Sequence, residues 1–106
     1  MSRSLGVATV TILGAVESRV RYGLDIAQRT GLLPATVYTT LRRLERRGLV
    51  KGSWEDADVA AEERRPRRRY YTLTREGGEA LGAAREHYEA LGFELPAAIS
   101  IVGEAE

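Results

Sequence analysis

Cysteine is absent from the 106 residues of this chain, which removes disulfide scaffolds, thiol catalysis and any zinc site built on cysteine. The absence is compatible with a reducing cytoplasm, the expected location. Histidine occurs once, as His87, and one imidazole cannot make a metal site. No apolar run approaches the roughly 20 residues needed to cross a bilayer, so no membrane partner is expected. The apolar residues between Met1 and Ala15 are interrupted by Thr9 and Thr11 and lead to no small-residue cleavage signal, so they read as a folded helix. Also missing are a nucleophile paired with a base, a carboxylate pair and a phosphate-binding glycine loop; the glycines follow helix ends. Neither an enzyme nor a bound cofactor is expected.

What is present is one domain's worth of chain, with 43% hydrophobic residues, and a charge that changes sign along it. The formal net charge of +1 hides this division: residues 1–33 sum to +2, residues 34–75 to +5 and residues 76–106 to −6. A basic middle beside an acidic end suggests one face turned toward a polyanion and another kept away from it. Two merely solvated surfaces would give the same totals.

Leu5, Ala8, Ile12 and Val16 recur at helical spacing, with Val10 and Leu13 beside them, so Ser4–Ser18 reads as a first helix buried over a broad face. Tyr22 and Gly23 interrupt it, and Leu24, Ile26 and Ala27 fit a short second helix that Gly31 ends. Pro34 suits the first turn of a third helix, expected over about 34–48, in which Val37, Leu41 and Leu44 form the apolar stripe and Gly48 the stop. The opposite side gathers Ala35, Thr39, Arg42 and Arg46, flanked by Thr36 and Arg43. Leu49–Glu55 and Arg69–Leu73 have strand composition, and the polar segment 56–68 between them is expected to be a mobile hairpin loop. Thr74 can cap a last helix, in which Leu81, Ala84, Tyr88 and Leu91 follow the spacing of a narrow packing seam. Gly77 and Gly78 imply that its first turn frays or packs closely, and Phe93, Leu95 and Pro96 should end it.

This order predicts a mainly α fold with a small β-hairpin: a winged helix-turn-helix followed by a C-terminal helix. A helix that reads base edges in a major groove needs small polar residues at its N-terminal end, which Ala35, Thr36 and Thr39 supply, with Tyr38 beside them. Farther along, Arg42 and Arg43 have the reach for phosphates or for bidentate contact with guanine. Arg64, Arg65, Arg67, Arg68 and Arg69 place five arginines in six positions of the wing, suited to phosphates or an adjacent minor groove. The competing reading pairs them with Glu62, Glu63 and the acids of 56–58. Trp54, the one tryptophan, fits packing against its strand neighbours better than stacking on a flat effector.

The chain resembles the PadR transcriptional regulators over most of residues 5–82. The matching segments are Ile12-Leu13-Gly14, Arg21 to Ile26, Thr36-Val37-Tyr38, Leu41 to Val50, Arg67 to Thr74, and Glu76-Gly77. Their order and spacing carry the resemblance. It implies a dimeric regulator of double-stranded DNA, usually a repressor, with the C-terminal helix supplying much of the dimer contact, and it admits release by a small effector. On that reading residues 1–74 form the DNA-binding unit with a wing over about 49–73. Residues 75–95 form the dimerisation helix, with Leu81, Ala84, Tyr88 and Leu91 at the interface, and 96–106 a weakly ordered tail. A twofold dimer should bind an inverted repeat. The resemblance also places Tyr22 and Tyr38 where an aromatic pair braces the third helix, although simple core packing would use the same residues. Ala35 stands where the family usually has glycine and Thr39 where it often has proline, so the operator cannot be borrowed from relatives. The alternative is a winged helix used only for protein interaction.

Overall fold

The computed structural model describes residues 5–96. Five helices and one hairpin follow in the order α1 (Val7–Glu17), α2 (Gly23–Thr30), α3 (Pro34–Arg46), β1 (Val50–Trp54), α4 (Ala57–Glu62), β2 (Arg69–Leu73) and α5 (Arg75–Ala90). This is the expected winged helix-turn-helix with a C-terminal helix.

Every residue of α1 from Val10 to Val16 is buried, because α2, α3, α5 and β2 all pack around it. A helix enclosed in this way is apolar over nearly its whole circumference. Gly31, at φ 79°, ends α2 with its N–H donated to Ala27 O at 2.9 Å. Pro34 opens α3, and Val37, Leu41 and Leu44 turn fully into the core. Each such side chain contributes about 1.5–3 kcal/mol by leaving water. α3 stops at Arg46, two residues before the expected end, because the chain turns at Gly48 (φ 76°) and Leu49 N–H closes onto Leu44 O at 2.9 Å.

β1 and β2 pair antiparallel, from Val50 opposite Leu73 to Trp54 opposite Arg69. Tyr22 adds a single bridge to Tyr70, and Tyr71 N–H donates to Arg21 O at 2.8 Å, so the entry to α2 is stitched to the wing. Between the strands, the expected loop contains a helix. Asp56 caps α4 by accepting from Asp58 N–H at 2.7 Å, and Ala60 is buried beneath it.

The base of the wing is joined tightly to α5. Thr74 donates its N–H to Leu49 O at 3.2 Å and its hydroxyl to Gly48 O at 2.7 Å, while its Oγ1 accepts from Gly77 N–H at 2.9 Å. Gly77 lies directly against the Leu49 carbonyl, where a Cβ would collide with the oxygen. Of the two outcomes expected for this glycine pair, close packing is the one observed. α5 ends at Ala90, short of residue 95, and Gly92 turns the chain at φ 74°. The N-terminal start expected at Ser4 and, apart from Pro96, the tail expected over 96–106 lie outside the described residues.

The proposed seam on α5 is largely used within the chain. Leu81 is fully buried and Ala84 nearly so, both in the common core where α5 meets α1. Three-then-four spacing marks the apolar stripe but not its partner, and here the partner is the chain's own α1. Tyr88 is half-buried and donates its hydroxyl to Leu5 O at 2.6 Å. Leu91, at 67% exposure, is the seam residue left facing outward.

Candidate nucleic-acid interface

With Val37, Leu41 and Leu44 fixed in the core, the helical period turns the other side of α3 outward. Ala35, Thr36, Tyr38, Thr39, Arg42 and Arg43 are all exposed on it. None of these six carries an ion-pair partner among the described residues, so their polar groups are available. Tyr38 is held, however: its ring lies on Gly23 at the start of α2, so tightly that a Cβ there would overlap the ring. Tyr38 thus packs α3 on α2 while staying 42% exposed, but the Tyr22 ring meets Tyr70 edge-on, with centroids 5.8 Å apart, and not Tyr38 as the expected aromatic pair would have it.

The wing arginines divide by what they touch. Arg65 gives both terminal nitrogens to Glu55, with Nη2 at 2.8 Å from Oε2. Arg69 pairs with Glu45 at 2.7 Å, tying the wing to α3. Arg68 lays its guanidinium over the Tyr22 ring, 4.0 Å from the centroid, and Arg67 donates Nε to Glu55 O at 2.9 Å. Arg64 is exposed at φ 55°, at the turn leaving α4. The acids that pair are therefore Glu55 and Glu45, not the Asp56–Asp58 and Glu62–Glu63 groups of the competing reading. Those acids stand exposed on and around α4.

Glu55 organises this arrangement. It is only 7% exposed, follows the last residue of β1, and closes the neck of the wing by donating its N–H to Arg68 O at 2.8 Å. Its carboxylate also accepts from Arg68 N–H at 3.2 Å and from Tyr70 Oη at 3.4 Å. The Arg65 hydrogen bonds lower its pKa from 4.5 to about 2 against the opposing effect of burial, with help from Arg68 N–H and the charges of Arg65 and Arg68. Arg65 and Arg69 are in turn raised by their hydrogen bonds to Glu55 and Glu45. Tyr71 is raised by burial and by the nearby charge of Glu45.

The sequence pattern does not single out Glu55 or Glu45. One signal would have reached Glu55: continuing the strand register one pair past Trp54 and Arg69 sets it opposite Arg68. Trp54 is 58% exposed, with the guanidinium of its cross-strand neighbour Arg69 over the ring at 5.2 Å and that of Arg67 at 5.7 Å. His87, exposed on α5, lies edge-on to Tyr88.

The family profile described as "Transcriptional regulator PadR-like family" matches residues 12–83. Among solved structures, the chain is similar to a PadR family transcription regulator from hypervirulent Clostridium difficile R20291, with TM-score 0.71 and 26% identity over 82% of this chain and 92% of that one. It is also similar to a PadR family transcriptional regulator from Eggerthella lenta DSM 2243, with TM-score 0.61 and 26% identity over 77% and 75% of the two chains. A PadR-like transcription factor from Bacteroides fragilis shares the fold, with TM-score 0.68 and 24% identity over 80% of this chain and 82% of that one. No curated protein matches the sequence.

Proposed function

The chain belongs to the PadR-like family of DNA-binding transcriptional regulators, and from that premise we propose that it is a homodimeric repressor of an inverted-repeat operator, released by a small effector. It acts by binding and not by turnover. The observation that carries this reading is the single exposed surface of α3, small and polar at Ala35, Thr36 and Thr39 and basic at Arg42 and Arg43, with the arginine wing tied to it through Arg69 and Glu45.

In this mechanism the N-terminal end of α3 meets base edges in the major groove, where short side chains let the backbone approach closely. Arg42 and Arg43 then reach phosphates or a guanine edge. Arg64 and Arg67, both exposed, extend the basic surface along the wing. Arg65 and Arg69 hold the wing in place more than they offer charge, because each already lies on a carboxylate, whereas Arg68, stacked on Tyr22, keeps its charge. Tyr88 and Leu91 on α5 supply the dimer contact, with α5 as the dimerisation helix, while Leu81 and Ala84 support it from within. Two α3 helices related by a twofold axis then address half-sites about one helical turn apart.

The test is selection of bound duplexes from a random pool, followed by footprinting and a salt titration of the winning site. Enrichment of an inverted repeat, protected on both half-sites, is expected. Weak, sequence-blind binding even at low salt would instead favour a protein-interaction module.

A further inference from the structure

Between α3 and the wing runs an open groove of about 740 Å³, within the range of small-molecule sites. Its lining combines two kinds of surface. Tyr22, Tyr38 and Trp54 contribute flat aromatic faces or edges, and Trp54 and Tyr38 leave 58% and 42% of their surface exposed. Arg42 from α3, with Arg67 and Arg68 from the wing, contributes the charge. Glu55 and Glu45 neutralise Arg65 and Arg69, but these three carry no carboxylate partner among the described residues.

We propose that this groove is a binding site for a nucleoside diphosphate, a flat heteroaromatic ring joined to a multiply charged phosphate chain. Each part of that ligand answers a part of the groove. A phosphate chain placed between Arg42 and Arg67 engages guanidiniums from two separate elements, and planar guanidiniums match phosphate oxygens bidentately. Arg68 is already oriented by its stack on Tyr22, so less rotamer freedom is lost when it binds an anion. The ring finds Trp54 and Tyr38, whose stacking is tolerant of base identity. A simple carboxylate would leave most of the charge unanswered, and a bare phosphate would leave the aromatic surface uncovered. The groove shares Arg42 and Arg67 with the DNA surface, but nucleotide binding is argued from its lining alone; only the consequence, that nucleotide and duplex exclude one another on α3, rests on the regulator reading.

The experiment titrates the full chain, without DNA, with ADP, adenosine and inorganic pyrophosphate, using calorimetry and the emission of Trp54, the one tryptophan. ADP is expected to bind saturably and change that emission, with adenosine and pyrophosphate each weaker by about tenfold or more, since each lacks one half of the recognised groups. Arg42→Ala and Arg67→Ala, checked for unchanged circular dichroism, should each weaken ADP by about tenfold. No saturable ADP binding, pyrophosphate binding as tightly as ADP, or ADP binding unaffected by both substitutions would overturn the proposal. Competition with the selected duplex follows as a separate measurement, so failure of the DNA reading leaves the nucleotide result intact.

Discussion

Arg65 holds Glu55 through both of its terminal guanidinium nitrogens, across the neck of the wing. Folding lowers the Glu55 carboxyl from 4.5 to about 2, so the stability it contributes is complete above about pH 4.5 and lost as pH falls toward about 2. Trp54 emission should therefore stay level from neutral pH to about 4.5 and change below it. Glu55→Gln should lack that step and show faster amide exchange in the wing at neutral pH. Identical acid profiles in the two proteins would mean that the pair does not hold the wing.

Arg42 and Arg67 are exposed and have no carboxylate partner among the described residues, which suits phosphate binding. Replacing either with alanine should weaken binding to all duplexes and flatten the slope of log K against log salt by about 0.9 for each phosphate no longer neutralised. An unchanged slope would mean that the residue in question neutralises no phosphate.

Thr36 and Thr39 stand exposed at the N-terminal end of α3, without long charged tips. Substitution there should change which base is preferred, shifting discrimination by about 1–3 kcal/mol at one position of the half-site, with little effect on the salt slope. Repeating the duplex selection with each variant measures this, and an unaltered consensus would move the reading residues elsewhere.

Leu81 and Leu91 should separate folding from assembly. Leu81→Ala opens a cavity in a fully buried site and should cost about 2–5 kcal/mol in denaturant unfolding. Leu91→Asp alters an exposed residue, so it should leave monomer stability nearly unchanged while shifting sedimentation toward monomer. A Leu91→Asp protein that remains dimeric would place the interface on another surface.

Two glycines of α5 should respond to alanine in opposite directions. At Gly77 the new Cβ meets the Leu49 carbonyl oxygen, and roughly 1–3 kcal/mol should be lost. At Gly82 nothing lies within 4 Å, so alanine should gain about 0.5–1 kcal/mol through helix propensity. Thermal unfolding of both variants is the measurement, and equal shifts would contradict the close approach at Gly77.

The helix order and both strands were legible because each depends on local period: Val37, Leu41 and Leu44 on one stripe, Tyr70 and Tyr71 in a β-rich run. α4 was hidden because six residues hold too little pattern to stand out from an acidic, alanine-rich loop. Spacing revealed that Leu81 and Ala84 pack, but not against what, since a seam within a chain and one between chains obey the same arithmetic. Glu55 escaped notice for a different reason. The strand register alone sets it opposite Arg68, but its burial and its pair with Arg65, ten residues on, are tertiary facts with no periodic trace.

The clasp at Thr74 and Gly77 also has a mechanical meaning. α5 has 16 residues and is therefore about 24 Å long, and its first turn is fastened to the carbonyls of Gly48 and Leu49, where α3 gives way to β1. No slack linker separates the two. α5 is thus a strut: fastened at the base of the wing and packed along α1 through Leu81 and Ala84, it joins the wing to the core as one piece.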